Sequence, residues 1–316
     1  MKISLMVEGQ NGLNWDRWLH ILALAERLRF PGVFRSDHYF IGPQQDSLDP
    51  YLSFAVAAHV TSTIRFGPLV SPVTFRSPVD HARMAGQVDL LSGGRFTMGV
   101  GAGWNEPEHR AYGISFPPVK ERFQRLEEAI GVMKALWAGP DASFQGTHYA
   151  LAGADLQPRP AAGRPPLLIG GGGEKKTLKL VARYADEWNG VNMTPETFAH
   201  KLSVLDDHCE SERRDMGAIA KSMMTFGIVG PSPRDIDAAT DRLQSMFGGR
   251  GVSPEEFRKN AAERGMIVGS TDQVVERLGQ LAELGLDEVM FQHFNFDSDD
   301  VPEYLAADVA PRVRDL

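Results

Sequence analysis

Short apolar runs alternate with stretches of helical spacing along almost the whole chain, the order expected of parallel strands joined by crossover helices. Residues 3–7 form the first run. Trp15, Trp18, Leu19, Leu22 and Ala25 follow at steps of three and four, which sets them on one face of a helix. Residues 32–35 read as the second strand, 49–62 as a helix, 64–70 as the third strand, 79–91 as a helix and 95–100 as the fourth strand. An irregular connection over 104–118 leads to a helix whose apolar face carries Phe123, Leu126, Ile130, Met133 and Trp137. Residues 143–151 suggest a small hairpin around Gly146, and 158–166 a proline-rich connector.

The alternation resumes with strands at 167–169, 187–191, 222–229 and 288–292. Helix starts are marked by Thr194-Pro195, Ser232-Pro233 and Ser253-Pro254, and by Ser270 with Gln273 three residues on; a closing helix begins at Val301. Eight strands exceed the usual five or six of an open doubly wound sheet and favour closure into a (β/α)8 barrel, an α/β fold. The expected organisation is one domain over 1–316, with insertions near 104–120, 140–166 and 230–266.

Composition narrows the partners. The chain of 316 residues is 42% hydrophobic and 23% charged, ordinary globular proportions. Its formal net charge of -8, with Lys and Arg scattered, provides no basic stripe for nucleic acid or an anionic membrane. No apolar run has the length of a signal peptide core or a membrane span. Cys209 is the one cysteine, so a reducing, cytoplasmic setting is expected.

In such a barrel the residues just past each strand's C-terminal end line the active site. The second strand runs into Ser36, Asp37 and His38. A carboxylate beside an imidazole is suited to polarising a ring or moving a proton; the plainer alternative is a loop cap and a backbone hydrogen bond. Leu69 and Val70 offer either an apolar shelf for an aromatic ring or an ordinary buried strand end. Gly99, Gly101 and Gly103, followed by Trp104, permit close approach to the backbone but lack the dinucleotide fingerprint spacing. Gly170, Gly171, Gly172 and Gly173 lie between strand and helix, where N–H groups and the helix dipole suit a phosphate and Lys175 or Lys176 adds charge; the alternative is a flexible turn. Glu106, Glu108 and His109 have no paired ligands elsewhere in the pattern, which argues against a metal site.

Taken in order, Ser36-Asp37-His38, residues 67–78 ending in Phe75-Arg76-Ser77-Pro78, residues 89–95, residues 99–104, Glu121-Arg122-Phe123 and residues 169–177 resemble the luciferase-like monooxygenase superfamily. Within it they resemble the branch of oxidoreductases using the deazaflavin coenzyme F420, over almost the whole chain. The resemblance implies a (β/α)8 TIM barrel with insertions and a ring system lying across its mouth. Gly171, Gly172 and Gly173 would hold the coenzyme's phosphate, and Ser36, Leu69, Val70, Gly101, Gly103 and Trp104 would also contact the coenzyme. Asp37 and His38 are the implied catalytic pair, and Leu69–Val70 is the implied non-proline cis peptide.

The chain departs from the family's sugar-phosphate dehydrogenases. Trp104 stands where they carry a Glu, their Trp beyond the His is missing at Ile41-Gly42, and Val191-Asn192-Met193 supplies no lysine, so glucose 6-phosphate is disfavoured. The expected activity is hydride transfer between coenzyme F420 and an organic small molecule. The alternatives are an FMN-dependent monooxygenase served by a separate flavin reductase, and a non-catalytic flavin-binding protein. The resemblance also implies a homodimer.

Overall fold

The computed structural model describes residues 1–42, 47–247 and 251–316. Its strands are β1 (Lys2–Val7), β2 (Gly32–Arg35), β3 (Arg65–Pro68), β4 (Ser71–Pro72), β5 (Met98–Gly101), β6 (Ala142–Gln145), β7 (Ala150–Ala154), β8 (Leu167–Gly170), β9 (Glu187–Val191), β10 (Ala220–Thr225), β11 (Gly227–Val229), β12 (Ile267–Gly269) and β13 (Glu288–His293). The main sheet runs β3-β2-β1-β13-β10-β9-β8-β5-β4, all neighbours parallel. A parallel bridge between Phe66 and Phe96 closes it: Phe66 N–H donates to Arg95 O at 3.1 Å, and Thr97 N–H to Phe66 O at 2.9 Å. The expected α/β barrel is therefore present, with β3 and β4 forming one divided stave.

Capping chemistry sets the helix starts. Asn14 opens α1 (Trp15–Leu28) by accepting from Arg17 N–H; Asp49 opens α2 (Pro50–Val60) by accepting from Leu52 N–H; Ser77 opens α3 (Pro78–Ser92) by accepting from Asp80 N–H. Pro50 and Pro78 sit in the first turn, where a missing N–H costs nothing. Among the described residues no helix is long and apolar enough to cross a membrane.

The barrel interior is layered, because alternate residues of each strand point inward. At the bottom Arg65 bridges Glu187 at 2.7 Å and Glu288 at 2.6 Å, with Ser4 and Ser222 donating to the same carboxylates. Above this plug lies an apolar layer of Met6, Phe34, Leu69, Leu168 and Met290. The next inward positions open into the mouth. The outward residues of the strands pack instead in the large core under the helices, with Trp18, Phe54 and Trp188 fully buried.

Four expected elements differ. The third strand is broken at Leu69–Val70, where the peptide bond is cis. The fourth begins as regular strand only at Met98. Residues 222–229 belong to two sheets: β10 ends at Thr225, and β11 pairs with β12, a strand that the periodicity did not mark, in a small sheet beside the barrel. Both pieces are apolar and contiguous, so periodicity alone does not divide them. The connection over 104–118 contains a short helix, α4 (Glu106–Ala111), with Pro107 in its first turn. Further along come α5 (Val119–Ala138), the antiparallel β6–β7 hairpin and α6 (Thr177–Tyr184). Residues 248–250 of the expected 230–266 insertion lie outside the described residues.

Candidate active site

A cavity of about 630 Å³ opens at the C-terminal ends of the strands, within the range of small-molecule sites. Ser36, His38, Leu69, Val70, Gly101, Gly103, Trp104, Gly171 and Gly173 all line it. Asp37 and Gly172 do not. Segments far apart in sequence are thus brought together by closure of the barrel.

Leu69 and Val70 form one wall as an apolar shelf. A Cβ on Gly101 would lie 2.7 Å from Val70 Cγ2 and one on Gly170 2.9 Å from Val70 Cγ1, so these glycines first make room for the shelf itself. Asp37 secures the shelf from behind. Its carboxylate accepts from Ser71 Oγ at 2.7 Å and from Arg76 Nη1 at 2.6 Å, and it is 3% exposed. The oxygens of Asp37 are thus turned to Ser71 and Arg76 and not into the cavity.

His38 faces the cavity beside Trp104, whose ring meets it edge-on at 5.5 Å and is 65% exposed at the rim. Nδ1 of His38 is 2.8 Å from Oε1 of Glu108, a fully buried carboxylate on α4 whose Oε2 accepts the Tyr39 N–H at 3.0 Å. An acceptor-only carboxylate holds the proton on Nδ1 and leaves Nε2 for the cavity. Burial alone drives the imidazole toward neutrality. The hydrogen bond and charge of Glu108 outweigh it, with Glu8 and Asp37 adding their fields, so the His38 pKa is raised above its ordinary value.

The glycine loop leads from β8 into α6. Gly171 has φ +119°, a conformation that favours glycine, and its N–H donates to Asn189 O at 2.9 Å while its carbonyl accepts from Trp188 Nε1 at 2.8 Å. Among the described residues the N–H groups of Gly172 and Gly173 and the Thr177 hydroxyl have no protein partner. They lie at the positive end of α6, an arrangement suited to a phosphate. Lys175 and Lys176 line a neighbouring cleft with Lys179 and Arg183. The Lys or Arg lining the main cavity, among the described residues, is Arg122, held by its Nη1 to Pro117 O at 2.7 Å and stacked on Phe116 at 3.9 Å.

Opposite the shelf is a polar group that sequence reasoning did not single out. Glu8, 6% exposed, accepts from Gln10 Nε2 at 2.8 Å and from Gln292 Nε2; Ser36 Oγ donates to Gln10 Oε1 at 2.8 Å. The signal for it was present as inward alternation: Ser4 and Met6 on β1 with Glu8 just past its end, and Glu288, Met290 and Gln292 on β13. Glu108 carried no such signal, because it reaches His38 from α4, in the connection that follows another strand. Among the described residues no group of three or more His, Cys, Asp or Glu is placed to hold a metal ion.

A family model described as luciferase-like monooxygenase matches residues 1–288. An F420-dependent glucose-6-phosphate dehydrogenase from Microbacterium testaceum is 28% identical over 314 residues, covering 92% of this chain and 91% of that protein. Two solved structures share the fold. The coenzyme F420 dependent tetrahydromethanopterin reductase from Methanopyrus kandleri superposes with TM-score 0.80 at 19% identity, covering 99% of this chain and 100% of that one. An F420-dependent secondary alcohol dehydrogenase in complex with an F420-acetone adduct does so with TM-score 0.79 at 21% identity, covering 99% and 100%.

Proposed function

This chain belongs to the luciferase-like monooxygenase family, and on that footing we propose that it is an oxidoreductase transferring a hydride between coenzyme F420 and an organic small molecule held at the barrel mouth. The observation that carries the proposal is the His38–Glu108 pair, which faces a cavity fitted at one side for a flat ring and at the other for a phosphate. The Leu69–Val70 shelf would support the ring, and Gly172, Gly173 and Thr177 would hold the phosphate. Bound there, the coenzyme supplies the group that takes up or gives the hydride. His38 Nε2 exchanges the accompanying proton with the substrate, and Glu108 keeps the imidazole oriented for it. The activities of the relatives support F420, while Trp104 and the lack of a Lys in Val191-Asn192-Met193 argue against a sugar phosphate as the substrate.

Titrating the apo-protein with coenzyme F420 and with FMN, followed by absorbance or fluorescence, tests this reading. Saturable F420 binding is expected. Submicromolar FMN binding with no response to F420 would overturn it in favour of oxygen chemistry with a partner reductase.

We place the enzyme in the cytoplasm as a homodimer. The buried, unpaired Cys209 supports a reducing compartment. An apolar groove between α2 and α3, where Leu52, Leu90 and Leu91 are 63%, 46% and 56% exposed, supports self-association. Sedimentation equilibrium should give twice the chain mass at micromolar concentration; a monomer there would remove the dimer.

A further inference from the structure

The His38–Glu108 contact depends on where α4 lies, and α4 has little of its own to fix it. It is six residues long, and Asn105 at its start makes no side-chain capping bond. A helix this short does not persist in water by itself, so tertiary contacts set its position. They come from two sides. On the β2 side, Asn105 Nδ2 donates to Phe40 O at 2.9 Å, Glu108 accepts the Tyr39 N–H, and Tyr112 stacks on Tyr39 with ring centroids 4.4 Å apart. On the other side stands the loop that follows the shelf, and His109 is the residue of α4 that meets it.

His109 is fully buried, its ring set between Phe75 at 4.8 Å and Phe116 at 4.7 Å. Both of its nitrogens are committed. Nδ1 is 2.8 Å from Asn105 O, and a carbonyl only accepts, so Nδ1 carries a proton; in the neutral ring Nε2 then accepts from Thr74 Oγ1 at 2.7 Å. Thr74 is itself fixed, because Val73 N–H donates to Gly101 O at 3.0 Å and Phe75 N–H to Pro72 O at 3.1 Å, closing the turn around it. Gly103 leaves room for the bond. Its φ is +78°, and a Cβ there would lie 3.0 Å from Thr74 Oγ1 and 3.8 Å from His109 Cε1. Among the described residues, the side-chain hydrogen bond between α4 and the shelf loop is this one.

We propose that Thr74 and His109 are a positioning pair, which holds α4 to the shelf loop and so keeps Glu108 within hydrogen-bonding reach of His38. The proposal rests on the proposed function, in which that histidine moves the proton. Glu108 and His109 are neighbours on one short helix and turn to different partners, so a displacement that opens one contact opens the other. Neither Thr74 nor His109 lines the cavity, and both act through Glu108.

The test is Thr74→Val, which keeps the shape and removes the hydroxyl, with Thr74→Ser as the conservative variant that retains it. The first readout is titration of the His38 ring in the apo-protein, followed by NMR and assigned by the signal missing from His38→Ala. Burial lowers the His38 pKa and Glu108 raises it, while Glu8 beyond β1 and Asp37 beyond β2 add to the rise and are untouched by these substitutions. The midpoint should therefore fall in Thr74→Val, in the direction that Glu108→Gln moves it, and return to the wild-type value in Thr74→Ser. In the F420-loaded enzyme, Thr74→Val should slow single-turnover hydride transfer by roughly 10- to 100-fold. An unchanged midpoint overturns the inference. So does a fall that Thr74→Ser shares, since the hydroxyl would then not be what matters, and so does an unchanged single-turnover rate. Failure of F420 to bind or react is directed at the proposed function, and the apo-protein titration then decides the inference by itself. If Thr74→Val does not fold, the wild type decides: at a pH where the His109 ring is neutral, its nitrogen-15 shifts should place the proton on Nδ1, and a proton on Nε2 would overturn the pair.

Discussion

Replacing His38 with Ala is expected to slow single-turnover hydride transfer by about 10²- to 10⁴-fold while leaving coenzyme affinity within a few-fold of wild type. The size follows from the geometry. Nδ1 is committed to Glu108 at 2.8 Å, so the ring is already in the orientation and tautomer that leaves Nε2 to the cavity, and the variant loses both the proton carrier and its preorganisation. An unchanged single-turnover rate would show that the imidazole does not take part in the reaction.

The same pair predicts a pH dependence. Burial opposes the charged imidazole, but Glu108 outweighs burial and the net shift is upward, so the imidazolium persists to higher pH than in an isolated histidine. The rate-controlling ionisation should lie above the ordinary imidazole value in the wild type and fall in Glu108→Gln, which removes the charge but keeps the shape. A profile identical in the two proteins would remove Glu108 from the argument. Stability follows the same linkage: because the folded state holds the proton more tightly, the contribution is complete below the unfolded-state pKa and is lost as pH rises through the raised folded value.

Asp37→Ala is expected to cost stability more than chemistry. Asp37 and Arg76 form an ion pair at 2.6 Å with side-chain exposures of 4% and 14%, and removing one partner of such a buried pair typically costs about 3–5 kcal/mol. Asp49 at 3.1 Å remains as a second, more exposed partner for Arg76, which favours the lower end of that range. Differential scanning calorimetry should show the melting temperature lowered by roughly 4–8 °C. Because Asp37 also holds Ser71, next to the shelf, coenzyme affinity should weaken as well, whereas turnover of the folded, saturated enzyme should fall far less than in His38→Ala. Asp37→Asn keeps the hydrogen-bonding shape without the charge, and should lie between the wild type and Asp37→Ala. A melting temperature within about 1 °C of wild type for Asp37→Ala would disprove the structural role, and a turnover loss equal to that of His38→Ala would return Asp37 to the chemistry.

The alternation of apolar runs and helical faces was enough to determine the barrel, since eight parallel strands with crossover helices have few other ways to bury both kinds of surface. Local chemistry was equally legible: Thr194-Pro195 and Ser253-Pro254 start helices where the caps lie, and the glycines at 171–173 lie between β8 and α6. His38, the shelf and the glycine loop could be named because each stands at a strand end, a place that sequence order marks.

What required the tertiary structure was every relation between different strand ends. Glu108 lies seventy positions from His38 and meets it only because α4 folds back over the mouth. Asp37 and His38 are adjacent in sequence, yet one turns to Arg76 and the other to the cavity; residue type alone does not tell which of the two faces the mouth. Gly101 stands at the cavity rim but is shaped first by Val70, a residue of another stave. Hydrophobic periodicity reports which face of an element is buried. It carries no information on which neighbour a buried polar atom finds, and Gln292 Oε1, which finds none among the described residues, became visible only when the barrel was closed around it.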